Sequence, residues 1–532
     1  MTLPFKCMVL LAVLAASIAS SGPEQTLHLE VTAEPHTLLP ILATSDDETA
    51  LGWLVFDKLV EYDSANQSRP DLIAEIPTLA NHGISSDGTT ITMHLRHGVK
   101  WQDGAPFTAA DVVFTMNAIL NPTLDVENRS FYANIQRVDA SGPYTVVFRL
   151  KQPQASFLAT VGTIYPILPK HLLAKSTALA TDPFDAAPIG TGPYRFVRWI
   201  RGDRLEFVAN PAYFRGPPKI ANIVVMVISD SNTLAVQVEQ HAIDFAEMES
   251  APYNTLRGAS GVVRRTEPFT DFNSLAMNEG RPILRDRRVR LAIVAAVDRV
   301  RLTRTVSFGT GTPAYGDLPL FIYGGHPPNG WATADPAAAR QLLDAAGWKL
   351  GPNGIREKNG VPLHLDLISY AGSASATSLS LQVQQMLRQV GIDVAYRSYD
   401  QGQYFAPASA GGPLNGGKYD LADLSFVNTI DPGNSEIYTC ASRIPAGYNY
   451  ADYCNPEMDR LQSASEREYD PLKRNRIVAQ IEALAVHDSV YAFLYHTPYR
   501  VVFDSRLKRP IASLDNRWYD VKDWTFSPAG HE

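Results

Sequence analysis

The chain has 532 residues, 45% of them hydrophobic, with a formal net charge of −8. That length is enough to bury large cores and to divide into two or three domains. It carries no basic tail and no Arg/Lys block suited to a phosphate backbone, which argues against nucleic acid as a partner.

Met1 to Ser21 reads as a secretory signal peptide. Lys6 supplies the positive start, Met8 to Ala16 an apolar run of the right length, and small residues follow, so that cleavage is expected after Ala19 or Ser21. Cys7 precedes the apolar run, unlike a lipoprotein signal, and no later apolar run reaches membrane-spanning length. The expectation is a soluble exported protein in the periplasm. Removal of this segment leaves Cys440 and Cys454, close in sequence around a Gly/Tyr-rich loop. An oxidising compartment favours a disulfide between them; the alternative is two unpaired small side chains.

Thr26 to Val31 is the first predicted strand. Thr49 to Val60 places Leu51, Leu54, Val55 and Leu59 on one apolar face and is predicted as a helix. In Ser86 to Met116 the period changes part-way: Ile91, Met93 and Leu95 alternate as in a strand, Gln102-Asp103-Gly104 turns, and Thr108 then caps a helix with Asp111 in its first turn. Val112, Val113, Met116 and Ile119 form that helix's apolar face, and Asn121-Pro122 ends it.

Within this stretch Asp87-Gly88, Leu95-Arg96, Gly98-Val99, Trp101, Asp103-Gly104, Pro106-Phe107-Thr108-Ala109 and Asp111-Val112 stand in an order that resembles the signature region of the extracytoplasmic solute-binding proteins of peptide-type ABC importers. Gly190-Thr191-Gly192-Pro193-Tyr194, the run from Val289 to Arg299, and Ala346-Gly347-Trp348 extend the resemblance over nearly the whole mature chain. It implies an α/β, two-lobed periplasmic-binding-protein fold with an additional subdomain and hinge crossovers. Residues 24–65, 189–285 and 492–532 would form the first lobe, 66–188 the additional subdomain, and 286–491 the opposing lobe. It also implies capture of a small peptide or peptide-like solute, closure around it and docking to an ABC importer membrane permease, with no cofactor and no metal of the chain's own. A non-peptide polar metabolite such as a sugar or opine is the alternative ligand, and an exported peptide hydrolase the alternative class. Against the hydrolase, the sequence shows no HExxH motif, no nucleophile elbow and no closely spaced metal-ligating cluster.

Further along, Asp286, Asp298 and Asp335-Pro336 each read as a helix start. Leu379, Val383, Met386, Leu387 and Val390 define a helix between strand candidates Val361 to Ile368 and Ile392 to Tyr396, a parallel crossover. Asp420 to Phe426 is the next strand, Asn455-Pro456 and Asp470-Pro471 open two more helices, and Val490 to Leu494 returns as a strand.

For the site, the resemblance points to Ser45, Asp46, Asp47, Glu48 and Thr49 as a segment offering backbone to the ligand. Trp53 and Tyr404 are aromatic candidates, core packing being the alternative for Trp53. In the segment Leu424 to Pro432 the candidates are Phe426, Val427, Asn428, Thr429 and Asp431. Relatives commonly carry an acid four positions before the proline, where it meets a peptide's ammonium group; here that position is Asn428. Asp431 takes the role only if the loop register shifts. The arginine that serves a dipeptide carboxylate in close relatives has no clear match in Ser369 to Ala376. An asparagine cannot compensate a buried ammonium as a carboxylate does. An ordinary free dipeptide is therefore less expected than a blocked, modified or longer peptide.

Overall fold

The computed structural model describes residues 25–527 except 268, 324, 429, 514 and 515. The signal segment and Thr429 therefore lie outside the described residues.

Leu27, Leu29 and Val31 alternate into the interior, and the strand Thr26–Val31 runs parallel to Asn222–Val227. Arg204–Ala209 and Tyr194–Ile200 complete a four-stranded sheet on the far side of that pair. A smaller antiparallel sheet places Thr145–Leu150 between Thr90–His94 and Ile135–Ala140. Against it packs the helix Ala109–Leu120, whose start is fixed where the Thr108 N–H donates to the Asp111 carboxylate at 2.8 Å. Both sheets feed one apolar core, which contains Leu27, Ile91, Phe148 and, from the C-terminal segment, Trp518 and Trp524.

The other half is built on a six-stranded mixed sheet. Its spatial order is Thr312–Pro313, Tyr491–His496, Asp271–Met277, Leu421–Val427, His364–Tyr370, Asp393–Tyr399. His364–Tyr370 and Asp393–Tyr399 are parallel, joined by the helix Ala374–Gln389, which is the crossover expected from the apolar spacing. Separate cores lie on this sheet's two faces, one around Leu275, Leu365 and Val383, the other around Phe272, Tyr404 and Tyr491. A three-stranded sheet of Phe245–Glu247, Tyr499–Asp504 and Val262–Glu267 joins the first half, Phe245, Val501 and Phe503 entering its core. The chain passes from it to the six-stranded sheet twice, between Glu267 and Asp271 and between His496 and Tyr499.

One expected element needs correction. The helix expected over Thr49 to Val60 spans Asp46–Val55, and Val60 opens a short strand, Val60–Tyr62. Ser45 caps it by accepting from the Glu48 N–H, and three acids fill the first turn where the helix dipole favours them. Phe157–Thr160 is a single helical turn.

Cys440 and Cys454 form the expected disulfide, closing a sequence separation of 14. Replacing both by alanine is expected to cost about 3 kcal/mol, the loop-closure value for a ring of this size. Urea denaturation of the double variant measures it, and a loss below about 1 kcal/mol would mean that the loop is ordered without the bond.

Candidate functional site

Two cavities open between the halves and share the strand Leu421–Val427 as a wall. The first, about 380 Å³, is lined on one side by Ser45, Asp46, Thr49 and Trp53 and on the other by Val427 and Asn428. The second, about 590 Å³, has Glu249 and Arg500 on one side, Tyr370 and Ser373 to Ala376 on the other, and Asp271, Asp423 and Ser425 along the sheet.

The shared strand has one open edge. Along its length it pairs with Asp271–Met277, but its parallel neighbour His364–Tyr370 meets it only at Leu421 and Ala422. The Asn428 N–H donates to the Thr270 carbonyl, so the even-numbered residues of this strand direct their backbone groups toward Asp271–Met277. Asp423, Ser425 and Val427 therefore direct theirs the other way. Consistent with this, the Asp423 carbonyl takes the Tyr404 hydroxyl at 2.7 Å from that side. From Ser425 to Val427 no strand covers the edge among the described residues.

Helical spacing sorts the first group of sequence candidates. Asp46, Thr49 and Trp53 stand at i, i+3 and i+7 and face the first cavity with Ser45. Lys58 Nζ lies over the Trp53 ring, 4.5 Å from its centre. Asp47 and Glu48 fall on the opposite side and are buried. Asp47, expected at the ligand, accepts from the Thr32 N–H at 2.7 Å and pairs with the Arg517 guanidinium. Burial pushes its carboxyl up, but Arg517 and the Thr32 bonds outweigh this and hold it below the usual range. Glu48 accepts from the N–H groups of His36 at 2.7 Å and Thr44 at 2.9 Å, so it fastens the loop ahead of the helix.

The second group divides as well. Val427 and Asn428 line the first cavity. Asn428 Nδ2 is committed to Asp317, donating to its carbonyl at 3.1 Å and its carboxylate at 3.3 Å. Phe426 packs between Phe272 and Tyr448 and is not in the wall of either cavity. Tyr404 is fully buried and belongs to the core. Asp431 is excluded by charge: Arg474 meets it with two N–H groups, one at 2.7 Å, so the residue expected to receive an ammonium is already neutralised.

Sequence reasoning missed Asp271, Asp423, Glu247 and Arg500. Asp423 carried a signal, an acid set between Leu421-Ala422 and Leu424 in the strand segment DLADLSF. Burial pushes both Asp423 and Asp271 up to about 7, against hydroxyl hydrogen bonds that act to lower them.

A family model described as bacterial extracellular solute-binding proteins, family 5 Middle, matches residues 71–443. The chain belongs to this family. Protein XP55 of Streptomyces lividans is 31% identical over 513 residues, covering 95% of this chain and 89% of that protein. The oligopeptide-binding protein AppA of Bacillus subtilis is 26% identical over 529 residues, 96% of this chain and 93% of AppA. The structure of AppA in complex with a nonapeptide superposes with a TM-score of 0.76 at 24% identity, over 95% of this chain and all of that one, which shows the shared fold. As a solute-binding protein of the peptide-type ABC importers, the molecule works outside the cytoplasm. It hands its solute to a membrane permease and does not transform it.

Proposed function

We propose that this binding protein captures an extended peptide or peptide-like solute of about five residues along the open edge of Leu421–Val427. The observation that carries the reading is that edge, which runs from one cavity to the other. From Asn428 in the first to Asp423 in the second is ~17 Å of strand, the reach of roughly five extended residues. A peptide laid there adds a strand, exchanging main-chain hydrogen bonds with Ser425 and Val427 while its side chains project into the cavities. Such recognition suits a length class better than one sequence. It also removes the need for an acid at Asn428, because a longer chain does not have to place its amino terminus there.

Residues 25–267 and 499–527, which include the subdomain 66–188, act as one jaw and 271–496, built on the six-stranded sheet, as the other. Closure is favoured by the solute because contacts to both jaws exist only in the closed state. The N-terminal 21 residues are the export signal that delivers the chain to the periplasm.

Ser425→Pro tests the strand addition. Proline removes an N–H that faces the cleft and leaves the ladder to Asp271–Met277 intact, a position where sheets accept it. Calorimetric titration with pentaalanine is expected to show about a tenfold or greater loss of affinity in the variant. Unchanged affinity, or chemical conversion of the peptide by the purified protein, would overturn the reading.

A further inference from the structure

The charge of the cleft is one-sided. Across the two cavities the titratable walls are six carboxylates, Asp46, Glu127, Glu247, Glu249, Asp271 and Asp423, against two guanidiniums, Arg500 and Arg517. Both guanidiniums are already engaged. Arg517 is held from behind by Asp47, with Glu30 beside it. Arg500 donates Nε to the Met248 carbonyl at 2.9 Å and Nη1 to the Pro498 carbonyl at 3.2 Å, and its charge is shared among Glu247, Asp271 and Glu249, three acids around one cation.

The second cavity concentrates this surplus on one face of the sheet. Strand register sets Asp271 opposite Val427, Asn273 opposite Ser425 and Leu275 opposite Asp423, so Asp271 and Asp423 share a face with Ser425 between them. The Ser425 hydroxyl donates to Asp271 at 3.2 Å. Asp423 is 3% exposed, yet its hydrogen bonds reach one oxygen only: Oδ2 takes the hydroxyls of Ser369 at 2.9 Å and Ser380 at 3.4 Å. Its Oδ1 has no protein donor among the described residues, and no cation neutralises it. A carboxylate buried this far with half its acceptor capacity unused is costly unless something brings positive charge to it. Tyr370 and Tyr495, beside both acids, give the cavity aromatic walls against which an alkyl stem or a guanidinium plane can pack.

We propose that the second cavity is a subsite for a cationic side chain of the solute, received by Asp423 and Asp271, so that the protein selects basic peptides. This rests on reading the two cavities as the solute site. The first cavity adds to the selection, since Asp46, Glu127 and Glu247 face it and its one guanidinium is spoken for. When the cavity is empty, burial raises both acids to about 7, against Arg500 and hydroxyl bonds at Asp271 and hydroxyl bonds at Asp423, so each is about half protonated near pH 7. An entering ammonium draws them into the ionised form and displaces protons.

The test is a calorimetric panel on the purified mature protein. The probes are pentaalanine, its five single-lysine variants, its five single-glutamate variants, and spermidine as a cation without a peptide backbone. At about pH 8 one lysine position is expected to bind about tenfold more tightly than pentaalanine, and glutamate there about tenfold more weakly. The sign with pH follows from the raised carboxyls: the lysine advantage is present above about pH 7 and fades toward pH 5 as Asp423 and Asp271 protonate. In Asp423→Asn the ratio of lysine to alanine affinity is expected to collapse toward one. The wild-type pH series reads the same charge without any substitution. Equal binding of lysine and glutamate peptides, or a preference for glutamate, overturns the charge selection and leaves peptide capture standing. Binding of spermidine without binding of any pentapeptide supports the cation subsite and overturns the peptide reading.

Discussion

Gly190→Ala is expected to destabilise the protein by about 3–5 kcal/mol, far more than a glycine substitution normally does. An added Cβ would stand 1.8 Å from the Val55 carbonyl oxygen and 2.5 Å from its carbon, and neither is a side chain that can swing aside. Val55 is the last residue of the helix that carries Thr49 and Trp53 to the cleft. Its carbonyl already accepts the Gly192 N–H at 2.8 Å. Gly190 is held from the other direction, its carbonyl taking the Gln102 N–H at 2.9 Å and its N–H donating to the Gln102 side chain at 3.2 Å. Helix end, crossover and the turn at 102 thus meet in one backbone-to-backbone contact, and a methyl group separates all three. Gly98→Ala is the comparison. Gly98 needs its left-handed φ of +79°, but a Cβ there meets nothing within 4 Å, so the expected cost is only about 1–2 kcal/mol. Urea denaturation of the two variants side by side decides the matter. Similar losses would show that Gly190 is not a close-approach glycine. Solute affinity is expected to fall with Gly190→Ala alone, because of the two glycines only Gly190 touches the cavity-facing helix.

Local devices were legible in the sequence because each is complete within a few residues. Asp335-Pro336 and Asp470-Pro471 start helices with the aspartate accepting from the third N–H and the proline where no donor is needed, as expected. The parallel crossover through Ala374–Gln389 followed from the change of period on either side of it. The site was less legible, for two different physical reasons. Ser45-Asp46-Asp47-Glu48 is itself a cap with an acidic first turn, but the apolar spacing from Leu51 onward pointed to a later start. The rotation of the helix was then hidden, and with it which acids face the cleft. The other reason is distance along the chain. Asp47 is turned from a ligand candidate into a structural anion by an arginine 470 positions away, and Asp431 by one 43 positions away. Nothing near Asn428 announces that its amide belongs to Asp317. The open strand edge is likewise a property of where His364–Tyr370 diverges, not of the sequence of the strand it exposes.

Arg517→Met should be the most damaging change at a charged residue. Arg517 is 6% exposed and is the cation shared by Asp47, Glu247 and Glu30, its Nη1 standing 3.6 Å from Glu247. Glu30 shows what these acids do with incomplete compensation: burial carries it up to about 7 even with Arg517 present. Methionine preserves much of the volume and removes the charge, leaving the buried Glu30 and Asp47 and the cavity-facing Glu247 without their cation. Breaking a buried pair from one side costs about 3–5 kcal/mol, chiefly the penalty on the stranded partners. The pH dependence has a definite sign. In the native chain Asp47 lies below its ordinary value, so its contribution is present above the unfolded-state carboxylate range and is lost only in acid. In the variant the same carboxyl is raised on folding, and the folded state then binds more protons than the unfolded one. Its stability falls as pH rises from about 4, so the deficit relative to wild type grows toward pH 7 and narrows in acid. Urea titrations at the two ends of that window measure it, with Trp518, whose ring lies 5.1 Å from the guanidinium, as the fluorescent reporter. A deficit that stays constant with pH would mean that Arg517 contributes by packing rather than by charge. The C-terminal segment that carries it would then be joined to the first helix by contacts other than this ion pair.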